Sequence, residues 1–224
     1  KNEEWYKNTM KQCYKFFTKE FLDFISFPKN YSSSTVKFKN LEVLSSAHAM
    51  KKGIILVGSH YGSFDKLFYA LSQEEYNLTG VAYKQNNSGA DIFFKQIRGN
   101  FMEDQLYKGG DVKQLKNSLV KNNILILLSD QDAKKKGVKA KFFGIDSSTH
   151  SGAAILSKRN KSPIVYASIT SKNNIYEVEF VKIDTSGSIN DIVQHYTSEI
   201  EKTIINNPEQ YFWFHKRWKS VRAY

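Results

Sequence analysis

The chain has 224 residues, 41% hydrophobic and 25% charged, so it can bury a core and is not a disordered tail. A lone cysteine, Cys13, excludes a disulfide framework or a cysteine-built metal site and fits a reducing compartment, while 12 glycines and 3 prolines exclude collagen-like or linker-rich architecture. The balance of 33 Lys and Arg against 22 Asp and Glu leaves a net charge of +11, and aromatic residues reach 14%; this combination calls for an anionic partner, either a nucleic acid or a membrane interface.

Residues 3–27 are predicted to be helical, with Tyr6, Met10, Cys13, Phe17, Phe21, Phe24 and Ile25 recurring at three- and four-residue spacing. Lys7, Lys11, Lys15 and Lys19 make a basic ridge on the same cylinder, and Pro28 closes the segment. Such a helix either packs on a core or lies near anionic headgroups. After a polar link at 31–34, strands are predicted at 54–58, 79–83, 124–129, 164–169 and 176–182. Helices are predicted at 40–50, 64–72, 90–98, 112–121, 151–158 and 189–206. The alternation specifies an α/β class, with a central mostly parallel sheet flanked by helices. A basic amphipathic helix at 1–28 is expected to pack on a single domain at 29–224. The Lys172-Asn173-Asn174 stretch is short enough for a hairpin, which would make one edge of the sheet antiparallel. No run reaches the roughly 18 apolar residues needed to cross a bilayer.

In open α/β sheets the working groups gather at the carboxyl ends of strands. Two polar clusters fall there: Gly58-Ser59-His60-Tyr61-Gly62-Ser63-Phe64-Asp65 and Ser129-Asp130-Gln131-Asp132. On one continuous helix His60 and Asp65 would be about 500° apart and would not stack. A turn ahead of the helix, with freedom from Gly58 and Gly62 and Ser63 as N-cap, would bring them together. A carboxylate accepting the imidazole N–H leaves the other ring nitrogen as a base. A loop histidine bonded to its own helix start gives the same pattern. Serine is misplaced for a Gly-x-Ser-x-Gly elbow, no phosphate-binding P-loop is present, and Cys13 lies far from both clusters. A base without a protein nucleophile points to a hydroxyl or water brought by the substrate.

The first cluster resembles the His-x-x-x-x-Asp/Glu block of the glycerolipid acyltransferase superfamily. In order along the chain, Val81-Ala82-Tyr83-Lys84, Leu127-Leu128-Ser129-Asp130-Gln131-Asp132, Gly137-Val138 through Phe142-Phe143-Gly144, Thr149-His150-Ser151-Gly152-Ala153-Ala154 and the run from Asn207-Pro208 to Trp218-Lys219 resemble the late acyltransferases of lipid A biosynthesis, the lauroyl/myristoyl transferase family. The resemblance implies acyl transfer from acyl carrier protein or acyl-CoA to a hydroxyl of an anionic membrane lipid, without a cofactor or metal, at the cytoplasmic face of the bacterial inner membrane. It implies His60 as general base and Asp65 as its orienting carboxylate. Arg98 is the candidate for stabilising an oxyanion or phosphate, or is equally a solvent-exposed arginine favoured by the helix dipole, and Asp132 is expected to line the crevice and support His60 or position the lipid. Substrate-binding candidates are Lys84, for a phosphate unless it is simply an exposed lysine, Asp130, which is equally a buried structural partner, and Phe143, which with Phe142 and Trp213 lines an acyl groove or packs the core. His150 is a second candidate histidine, whereas His48, His195 and His215 are expected on helix surfaces.

Lys134-Lys135-Lys136, Lys139 and Lys141 are expected near the mouth of the site, and Lys216-Arg217-Trp218-Lys219 reads as an interfacial segment. Members of the resembled family generally begin with a membrane-anchoring segment, which this stretch, opening at Lys1, does not contain. A glycerophospholipid or other glycolipid acceptor is the alternative enzyme reading. A basic nucleic-acid-binding module is the alternative of another class; no nucleic-acid partner is expected, because no recognition motif is present.

Overall fold

The computed structural model describes residues 1–27, 31 and 35–221. Its centre is set by two unbroken apolar runs, β2 (Ile54–Gly58) and β5 (Ile124–Leu128), which pair in parallel. Such runs are buried on both faces, so helices must cover both sides of the sheet. Ile54 and Leu56 enter one core with Leu44, Leu67, Phe68 and Leu71, while Ile55 and Val57 enter the other with Ala153, Leu156, Val193 and Tyr196. The result is a three-layer α/β/α arrangement.

In chain order, α1 (Glu3–Ile25) precedes β1 (Thr35–Lys39), α2 (Leu41–Ala49), β2, α3 (Phe64–Gln73), β3 (Leu78–Ala82), α4 (Ser88–Arg98) and β4 (Asp104–Tyr107). There follow α5 (Val112–Val120), β5, the hairpin β6 (Val138–Phe142) and β7 (Ile145–Thr149), α6 (Gly152–Asn160), the hairpin β8 (Ile164–Lys172) and β9 (Ile175–Ile183), and α7 (Ile189–Asn206). The seven-stranded sheet has the order β1-β9-β8-β2-β5-β3-β4, and β8 with β9 is its antiparallel pair. Asn173 and Asn174 turn that hairpin with φ of 52° and 61°, the left-handed geometry that asparagine tolerates well. β9 is not the edge strand, however. The alternating Thr-Val-Lys-Phe-Lys segment adds β1 outside it, in parallel register. Pro28 and residues 32–34 of the anticipated link lie outside the described residues.

The face by which α1 packs differs from the expected apolar stripe. Of that stripe Cys13 and Phe24 are buried, but Tyr6 and Phe21 are each more than half exposed, as are Tyr14 and Leu22 beside it. What α1 turns inward includes carboxylates. Glu20 accepts a hydrogen bond from the Ser63 hydroxyl, and Asp23 lies 2.9 Å from the Nζ of the fully buried Lys66. Lys66 also donates to the Tyr176 hydroxyl at 2.6 Å, so α1, α3 and β9 share one buried polar network. Lys19, from the anticipated basic ridge, bends to the same Asp23 at 2.9 Å. Among the described residues no helix is long and apolar enough to cross a membrane.

Candidate active site

β2, β5, β3 and β4 all run parallel, so their carboxyl ends meet at one edge of the sheet. The chain leaves β2 towards β3 on one side and later places β8 on the other, which opens a crevice at the end of β2. Gly58 is paired with Leu128. Two residues beyond each partner stand His60 and Asp130, and this register brings them together. His60 Nδ1 lies 2.9 Å from Asp130 Oδ1, with the imidazole 26% exposed and the carboxylate 2%.

The carboxylate on the imidazole is therefore Asp130, and the expected His60–Asp65 hydrogen bond is not formed. Asp65 sits in the first turn of α3 and faces Arg98, whose Nε is 3.8 Å from Asp65 Oδ1. The physical reason is direction: the five-residue step carries Asp65 round the helix start towards α4, whereas the parallel neighbour presents Asp130 level with the ring.

The electrostatics follow from these partners. Burial works to lower the His60 pKa, but the charge and hydrogen bond of Asp130 prevail and hold it above the ordinary histidine value. Asp130, despite burial, is held below the ordinary aspartate value by His60. Burial pushes the Asp65 carboxyl up to about 6 against the pull of Arg98 and His60. With Nδ1–H donating to Asp130, the Nε2 lone pair is left to act as a base.

His60, Asp65 and Arg98 line one cavity of about 520 Å³, whose walls include apolar side chains such as Val81, Met102, Leu106 and Leu115. The loop carrying His60 is fastened from outside. Gly62 N–H donates to Gln210 O at 2.8 Å and Phe212 N–H to His60 O at 2.9 Å. Gly62 has φ +60°, and a Cβ there would stand 1.8 Å from Ile169 O, so only glycine fits. Gln210 in turn exchanges hydrogen bonds with the backbone of Ser171 on β8.

Other expected site residues lie elsewhere. Asp132 is buried but is not on the cavity wall: its backbone N–H donates to His215 Nε2 at 3.0 Å and its Oδ2 accepts from Ser220 Oγ at 2.6 Å. Its carboxylate anchors the C-terminal segment instead of supporting His60. His215 belongs to an irregular turn there, not to a helix surface. Phe143 forms the β6–β7 turn and packs on Phe142 and Trp213, ring centres 4.8 and 6.3 Å away, so it is no part of the cavity wall. Lys84 is exposed and off the wall, and the lysine lining the cavity is Lys108, just past β4. The expected interfacial run is also partly internal. Arg217 is 2% exposed and donates to Ser148 O, Ser147 Oγ and Thr149 Oγ1 of β7. Its buried position had no counterpart in the hydropathy pattern, whereas the Asp130 pairing follows from aligning two parallel strands by their ends.

A family model described as bacterial lipid A biosynthesis acyltransferase matches residues 7–220. Two curated relatives are each 24% identical over 190 residues: a lipid A biosynthesis palmitoleoyltransferase of Escherichia coli (strain K12) and a lipid A biosynthesis acyltransferase of Shigella flexneri. Each alignment covers 81% of this chain and 61% of the relative, so the chain spans about three fifths of the length of the curated relatives it matches.

Proposed function

The chain belongs to the bacterial lipid A biosynthesis acyltransferase family, and on that premise we propose that it moves a fatty acyl chain from a thioester donor to a hydroxyl of a lipid A precursor. The observation that carries the mechanism is the 2.9 Å contact between His60 Nδ1 and Asp130 Oδ1 at the wall of a partly apolar cavity. His60 Nε2 takes the proton as the acceptor hydroxyl oxygen attacks the thioester carbonyl carbon. The C=O electrons move onto oxygen, and the tetrahedral oxyanion forms beside Arg98, whose guanidinium stabilises the charge. Collapse restores the carbonyl and breaks the C–S bond. The departing thiolate takes the proton from His60 Nε2, so the products are an ester and a free thiol. Asp130 fixes the tautomer and stabilises the imidazolium. Asp65 acts at one remove, by holding Arg98.

Acyl carrier protein, which is acidic, suits the +11 chain as donor, with acyl-CoA as the other thioester. The half-exposed aromatic and aliphatic residues of α1, set among its lysines, suit a helix resting on anionic lipid at the cytoplasmic face of the inner membrane. A single-turnover assay with an acyl carrier thioester and a lipid A precursor tests the reading. His60→Ala should abolish transfer while the protein stays folded. Undiminished transfer by that variant would remove the mechanism.

A further inference from the structure

Three strand ends meet again at the rim of the same cavity: Tyr83 follows β3, Lys108 follows β4 and His150 follows β7. Lys108 Nζ donates to the Tyr83 hydroxyl and to His150 Nε2, the latter at 3.2 Å, and lies 4.5 Å from the centre of the Tyr83 ring. Among the described residues this ammonium has no carboxylate partner. Asp91 accepts instead from Tyr107 Oη at 2.6 Å and Gln85 N–H at 2.8 Å, and Asp111, on the same cavity wall, caps α5 through Lys113 N–H. His150 is half-buried, and its carbonyl is held by the hydroxyl of Tyr196, a fully buried residue. Burial and the Lys108 charge push its pKa down to about 4, so the ring is neutral at physiological pH. Because Nε2 accepts from Lys108, the ring proton is on Nδ1 and is available as a donor. The rim thus offers, among the described residues, a cation without an ion-pair partner and an imidazole N–H.

We propose that Lys108, His150 and Tyr83 form a subsite that binds a phosphate group of a substrate at the rim of the cavity holding His60. A phosphate oxygen replaces the Lys108–His150 contact as the acceptor for the ammonium, and the others accept from the hydroxyl and the imidazole. As to which substrate, the proposal rests on the acyl-transfer reading, which admits two sources: the acceptor lipid, or the phosphopantetheine arm of the donor.

The direct test titrates inorganic pyrophosphate onto the full chain and follows the His150 ring signals by NMR. The expected result is a saturable shift that weakens about tenfold or more in Lys108→Met and is retained in Lys108→Arg. The turnover test measures KM for the acceptor with and without its phosphate, and for a carrier thioester against an N-acetylcysteamine thioester that has no phosphate. Lys108→Met should raise KM about tenfold only for the phosphate-bearing member of one pair, with kcat little changed. The pair that shows the effect identifies the source. Equal pyrophosphate affinity in the wild type and Lys108→Met, or unchanged KM for all four substrates, overturns the subsite. If no acyl group is transferred to any acceptor, the pyrophosphate titration still decides on the subsite, so its failure is separable from failure of the transferase reading.

Discussion

Replacing Asp130 by Asn keeps the size of the side chain and removes its charge, which makes it the sharpest probe of the site. In the wild type the carboxylate lies 2.9 Å from His60 Nδ1 and is 2% exposed. As the hydroxyl proton reaches Nε2 the ring becomes an imidazolium, and opposite charges about 4 Å apart at an effective dielectric constant near 20 attract by about 4 kcal/mol. Losing that in the transition state slows the reaction about a thousandfold, since each 1.36 kcal/mol is about a factor of ten. The pH profile should move as well. The neutral ring is the active form, so activity falls as pH drops through the His60 pKa. Asp130 raises that pKa against the effect of burial, and its loss therefore shifts the acid limb to lower pH. The assay is single-turnover thiol release across pH for wild type, Asp130→Asn and Asp65→Asn. Asp65 makes no hydrogen bond to the ring, and its variant should lose about tenfold. If Asp65→Asn is the crippled variant and Asp130→Asn stays within tenfold of wild type, the assignment of the orienting carboxylate is wrong.

Three further outcomes are expected. Lys66→Met should cost about 3 kcal/mol in urea unfolding, because Asp23 loses its buried ammonium partner, and the double variant with Asp23→Leu should recover part of it. Gly62→Ala should lower the melting temperature and abolish transfer, because a left-handed non-glycine residue costs about 1–2 kcal/mol before the clash with Ile169 O is counted. Since burial lifts Asp65 to about 6, an ionisation near that pH should be visible by infrared carboxyl bands and disappear in Asp65→Asn.

The architecture was largely legible because its signals are local. Runs such as 54–57 and 124–128 are too apolar to be anything but central strands, and α7 was legible from Ile189 to Asn206 by its period. The unanticipated strands are those whose sequence does not look buried. β4 is Asp-Gln-Leu-Tyr, and β6 carries exposed lysines on an alternating pattern. The site was half legible for a related reason. The position of His60 follows from a strand ending in glycine, but which aspartate meets it depends on which strands are neighbours, and adjacency is a property of the sheet. Lys108 was hidden behind the overlooked β4. Arg217 had the composition of a surface run, and only the hydroxyl-rich β7, with Ser147, Ser148 and Thr149, gives a buried guanidinium enough acceptors.

The strap formed by residues 210–212 lies across the His60 loop, although it is added to the chain long after that loop. A protein terminated prematurely after α7 would still possess the imidazole, both aspartates and Arg98, but would lose Tyr211 from the core beneath them. It would lose the tie to β8 made through Gln210 and keep the hydroxyl contact of Tyr61 with Thr170 at 3.3 Å. Nonsense mutations in the final stretch of the gene should therefore produce a less stable and silent protein, and adding those last residues back as a separate peptide should reawaken it.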